Sequence, residues 1–265
     1  MVMAQLNALI PLDQIDTDPK QVLAIKRMDL VPLLDNPYRL NHYADQLIQA
    51  QAVLLNQISP ELTHDLSRVI SHLIDKLSKS DKVIKKKSFN RLQKWFGVDI
   101  EHDQTQLNYL HGLDALIEQA DRLSQQLAVE IQKSQARIQQ LLGLREQMAL
   151  YIVAAQQFLG EYPAFIRHQH PLDHFSERLS KKINSLQTLQ ASNDLAITQM
   201  FLTQQLSFGL LDRFKEAQQV LIPAWQYHLK QSMQNSSALE LQKLDHSRES
   251  LLTILRQSLE KRVEP

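Results

Sequence analysis

Apolar residues recur along this chain at helical spacing, and the pattern is most regular between Asp103 and Leu159. Steps of alternately four and three residues visit Leu113, Ile117, Ala120, Ser124, Leu127, Ile131, Ser134, Ile138, Leu141, Arg145, Met148 and Ile152. Only Ser124, Ser134 and Arg145 interrupt the apolar seam. A heptad pattern sustained over this length predicts a left-handed coiled-coil helix roughly 80 Å long, at about 1.5 Å per residue. Gly112 and Gly143 fall inside it and each weakens it by about 1 kcal/mol relative to alanine. Neither stands next to a second breaker, so one uninterrupted helix is expected.

The flanking segments carry their own start and stop signals. Residues 1–17 read as a poorly ordered lead-in. Asp18-Pro19 pairs an N-cap acceptor with proline at the first helical position, and the helix it opens should end near Pro32. Asn36-Pro37 marks a turn to a second helix over roughly 38–56. Ser59-Pro60-Glu61 opens a third helix reaching at least Leu77, with Leu62, Leu66, Val69, Ile70, Leu73 and Ile74 on one face. Gly160 to Pro163 should close the long helix. A second long helix is expected from Leu172 to Ile222, where Pro223 removes a backbone donor and kinks or restarts it. A last segment runs from Trp225 to Leu259. The expected fold is all-α: an elongated antiparallel bundle of long coiled-coil helices. Short N-terminal helices at 18–97 and the long-helix bundle at 98–265 should together form one continuous unit.

Composition supports this reading. A hydrophobic fraction of 43% is enough for a core, and five glycines with nine prolines are few for a turn-rich sheet protein. The 29 basic and 29 acidic residues cancel, so a nucleic-acid partner is not expected. With no cysteine there are no disulfides, thiolate metal sites or cysteine nucleophiles. The N-terminus shows no secretory signal, and no run of about 18 apolar residues suggests a membrane span. The expected location is cytoplasmic, with peripheral contact at the inner face of the membrane as a further option.

Several motifs occur in a recognisable order. Phe89 to Gly97 forms a Phe-x-x-Leu-x-x-x-Phe-Gly-like junction, and Phe175-x-x-Arg178-Leu179-x-x-x-Ile183 follows the long Leu/Gln helix. Ile222-Pro223-x-Trp225-Gln226 and Ala238-x-Glu240-Leu241-Gln242 complete the series. This arrangement, covering roughly Ser88 to Leu259, resembles the C-terminal half of the TelA-like toxic anion (tellurite) resistance family. The resemblance implies association with resistance to tellurite and other toxic insults. It implies no reaction, no cofactor and no catalytic residue, and it marks Pro223, Trp225, Glu240 and Gln242 as structural positions of the family motif. The expected function is therefore non-enzymatic stress tolerance exercised through an unidentified protein partner, with homo-oligomerisation open.

Three local features carry candidate chemistry. His168, His170 and His174 with Asp173 could supply imidazole and carboxylate ligands to a transition metal. However, His170 and His174 straddle Pro171, and a polar connecting loop with Asp173 near a helix N-terminus is the preferred explanation, so no metal is expected. A basic cluster of Lys76, Lys79, Lys82, Lys85, Lys86, Lys87, Arg91 and Lys94 lies beside Trp95 and Phe96. Such a segment could bind an anionic membrane surface. It could also hold a protein partner or a nucleic-acid backbone, but pairing with the acidic stretch containing Asp99, Glu101, Asp103, Asp114, Glu118 and Asp121 is a sufficient explanation. Trp225, after Pro223, reads as a packing anchor, with a partner hot spot as the competing role. No Gly-rich phosphate loop, Gly-x-Ser-x-Gly elbow or His-Glu-x-x-His is present, so catalysis is not expected.

Overall fold

The computed structural model describes residues 9–55, 59–80, 98–165, 174–234 and 237–260. The side chains at 37, 98–106, 164, 165, 233 and 234 stand outside that description. Every regular element among the described residues is helical, so the chain is all-α. In order they are α1 (Pro19–Ile25), α2 (Pro32–Asp35), a 3-10 segment (Pro37–His42), α3 (Asp45–Leu54), α4 (Pro60–Ser78), α5 (Val98–Phe165), α6 (Phe175–Glu216), α7 (Ile222–Gln234) and α8 (Ala238–Leu259). A short 3-10 turn at Leu12–Gln14 precedes them.

Helix starts follow capping chemistry. The Asp18 carboxylate accepts the Lys20 backbone N–H at 2.9 Å, with Pro19 at the first helical position. Ser237 accepts the Glu240 N–H at 3.3 Å and so caps α8. Gly112 and Gly143 are accommodated without a break in α5. A Cβ at Gly143 or at Gly209 in α6 would meet nothing within 4 Å. Gly143→Ala and Gly209→Ala are therefore each expected to raise stability by up to about 1 kcal/mol in chemical denaturation. A loss at either site would show that the space is not free.

Proline is handled differently from the sequence expectation. The helix beginning at Pro19 does not stop at Pro32. It passes through a π-helical turn, Lys26–Leu30, and stays helical to Asp35. The same device stands before Pro223, with a π-helical turn at Ala217–Leu221. In both places a β-branched residue precedes the proline, and its N–H reaches five residues back, Val31 to Lys26 and Ile222 to Ala217. Proline offers no N–H, and its ring crowds the carbonyl four residues earlier. Widening the preceding turn relieves that clash without ending the helix.

Two further boundaries move. The single helix expected over 38–56 is split, because Ala44 adopts a left-handed conformation, φ 64°, between the 3-10 segment and α3. Buried Tyr43 fixes the corner by donating its hydroxyl to the Tyr151 carbonyl at 2.7 Å. The long helix runs past Gly160 to Phe165, with Pro163 inside its last turns. There Glu161 pairs with Lys26 at 2.8 Å, and buried Tyr162 stacks on Phe175 at 5.0 Å between centroids.

By contact the chain divides into two compact units. The first comprises Met1–Gln57 with Lys133–Thr203, and the second Ile58–Gln132 with Gln204–Pro265. Helices α5 and α6 contribute residues to both. The first unit buries Val22, Leu30, Leu33 and Leu40 against Met148, Ile152 and Phe158 of α5 and Phe175, Leu179 and Ile183 of α6. Ile138, Leu141, Ile197 and Met200 form a smaller cluster in the same unit. In the second unit α8 packs on α7 and α4. Its core joins Leu66, Ile70 and Leu73, Leu113 and Leu127, Phe214, Trp225, Leu251 and Leu255. Every position of the α5 seam is buried except half-buried Ile117, the polar Ser124, Ser134 and Arg145 included.

Candidate functional site

The Pro-Trp segment lies in the second unit. Immediately after the widened turn, α7 directs Trp225 into the core, leaving it 1% exposed. The indole contributes area rather than polar contact, since its Nε1–H has no hydrogen-bond partner among the described residues. Two glutamines bracket it. Gln218, in the π-turn, donates to Asp121 Oδ1 at 2.6 Å, and Gln226 donates to Asp114 Oδ1 at 3.3 Å. These two acids of α5 thus serve the Pro-Trp segment, a role that the acidic stretch did not reveal in sequence. Pro223 is exposed, Glu240 is half-buried and bonded to Lys243 at 3.0 Å, and Gln242 is exposed on α8.

The first unit contains a buried polar network that sequence reading missed. Arg145 donates from Nε and a terminal nitrogen to the two carboxylate oxygens of Asp194, at 2.8 and 2.9 Å, and also bonds the Ile10 carbonyl. Gln190 donates to Asp194 Oδ1 at 2.7 Å and accepts from Gln51 at 2.9 Å. Gln51 in turn accepts from Asn193 at 2.7 Å. Gln51 and Gln190 are fully buried and Arg145 is 5% exposed, so these groups exchange water for one another. A signal was present. Continuing the four-three stepping from Leu186 to Ile197 lands on Gln190 and Asn193, which marks both as inward despite their polarity. Around α3, burial raises the Asp45 carboxyl, but hydrogen bonds from His42 and Lys182 outweigh this and hold it below its usual range.

The second unit also opens a cleft of about 450 Å³, lined by His72, Asp75, Lys76, Lys79, Tyr109 and Leu116. Tyr109 donates its hydroxyl to the Lys76 carbonyl at 2.8 Å, and burial pushes its phenol up to about 12, so the ring stays neutral. The Lys76 ammonium sits 5.6 Å from that ring centroid and rests on Gly112, where a Cβ would come within 2.0 Å of Nζ. Lys79 is paired with Asp75 at 2.7 Å.

Of the basic-aromatic candidates, Lys82, Lys85, Lys86, Lys87, Arg91, Lys94 and Trp95 lie outside the described residues, as do His168 and His170. His174 is exposed, with Nδ1 3.4 Å from Glu177 Oε2. Among the described residues no group of three or more His, Asp or Glu side chains could hold a metal ion. None of their helices is long and apolar enough to cross a membrane. The N-terminal helices of the first unit carry exposed Leu23, Met28 and Val31, with Met28 77% exposed, and exposed Lys20 and Arg27.

The chain is similar to Protein KlaA of Escherichia coli. The two are 26% identical over 242 residues, which is 87% of this chain and 93% of KlaA. No family model matches the chain, and no solved structure matches it. The aligned stretch is long enough to include residues of both compact units.

Proposed function

We propose that this chain is a non-enzymatic helical protein of the TelA-like type, acting through protein contacts in tolerance to tellurite and related toxic anions. The supporting observation is the combination of the Ile-Pro-x-Trp and Ala-x-Glu-Leu-Gln motifs with a likeness to KlaA along nearly the whole of both chains. Deleting the gene should lower growth across a tellurite series, and restoring the intact gene should return it. Tolerance that is unchanged by deletion would overturn this reading.

A second reading is peripheral attachment to an anionic membrane surface at the inner face of the membrane, through the basic-aromatic segment 76–96. It draws support from Lys76 at the start of that segment, which has no ion-pair partner among the described residues. Binding to anionic vesicles that weakens in high salt would support it, and no binding at low salt would overturn it.

A further inference from the structure

We infer that the cleft between α4 and α5 is a docking site for a partner segment that presents a carboxylate side chain next to an apolar one. This rests on the reading that the protein acts through protein contacts, and it assigns the contact to named residues. Six side chains line the cleft, and their charges do not cancel. Lys79 is neutralised by Asp75, whereas half-buried Lys76 has no hydrogen-bond or ion-pair partner among the described residues. A partly desolvated ammonium without a counter-charge gains most from an incoming anion, and a hydrogen bond to a charged group exceeds one between neutral groups.

The ammonium lies against α5. Gly112 gives it a seat that any side chain at that position would occupy, and the Tyr109 ring flanks it. Tyr109 is itself fixed by its hydroxyl bond to the Lys76 carbonyl, which ties the aromatic wall to α4. The remaining walls are apolar or aliphatic: the Tyr109 ring, Leu116 and the stems of Lys76 and Lys79. His72, one turn before Lys76 on α4, adds a polar group at the exposed rim. One cation within an apolar groove matches an acidic residue next to a leucine-like residue better than it matches a polyanion, which would need several cations to neutralise it.

The test uses the full chain and two synthetic probes, acetyl-Leu-Glu-Leu-amide and its neutral counterpart acetyl-Leu-Gln-Leu-amide. Binding is followed by NMR at the Gly112 amide and the Tyr109 ring. The expected result is a preference of about tenfold for the glutamate peptide, the scale of one charge-assisted hydrogen bond. Lys76→Met should abolish the preference. Gly112→Ala should weaken it although the substitution favours the helix, which separates loss of the site from loss of the fold. Equal affinity for the two peptides, no shift at Gly112, or an unchanged preference in Lys76→Met would each overturn the inference. Because the growth assay involves no peptide, a failed docking site and a failed tolerance role give different results.

Discussion

Trp225→Ala is expected to destabilise the second unit by about 3–5 kcal/mol, the range for truncating a large aromatic side chain in a packed core. Trp225 is among the largest fully buried side chains, and it packs in a cluster with residues of α4, α5, α6 and α8. Its removal leaves a cavity that helices anchored elsewhere cannot collapse to fill. Trp225→Phe should cost much less. The phenyl ring keeps most of the packing, and no hydrogen bond is lost because Nε1–H makes none among the described residues. Thermal and urea unfolding of both variants provide the check. A stable Trp225→Ala variant that had lost a partner would instead make this side chain a contact residue.

Arg145→Ala should cost about 3 kcal/mol or more in the first unit. The substitution strands the Asp194 carboxylate, removes the donor to the Ile10 carbonyl and unsettles the Gln190–Gln51–Asn193 chain of amides. The loss reflects a half-buried carboxylate left with Gln190 as its remaining donor more than the worth of the pair itself. Arg145→Met combined with Asp194→Leu should therefore lose less than the sum of the two single changes. Additive losses in that cycle would mean that the two side chains act independently, contrary to their paired geometry.

The helical class, the long α5 and the inward seam were legible because burial along a straight helix repeats every three or four residues. Leu113 through Ile152 needed nothing beyond that period. Legibility failed where polar side chains occupy the seam. Arg145 interrupts the seam in sequence, and it is buried because Asp194, a residue 49 positions away, supplies what water would. The stepping from Leu186 to Ile197 marks Gln190 as inward, but its partner Gln51 lies 139 positions away and no local pattern names it. Ala44 shows a related limit, since its left-handed backbone is imposed by the Tyr43 corner and not by its own preference. The Lys76 cleft was hidden because it depends on a glycine on another helix, which sequence reading treated only as a weak point. Pro223 and Trp225 were marked by motif, but their geometry depends on the turn before them.

That turn has a consequence for how related chains should be aligned. Along the end of α6 no two successive buried residues are more than three positions apart: Ser207, Leu210, Leu211, Phe214 and Ala217. The next buried residue is Ile222, five positions on, followed by Trp225 and Leu229 at the ordinary spacing. The π-turn therefore holds one residue more than the α-helical count allows, and it resets the phase of everything that follows. In an uninterrupted α-helix one residue corresponds to about 100° of rotation. A relative lacking one residue between 217 and 221 would turn its tryptophan away from the core, however well the Pro-x-Trp letters matched. The inward aim of Trp225 is thus written upstream of the motif, in the length of a five-residue turn, and a gap placed there carries more structural meaning than a substitution.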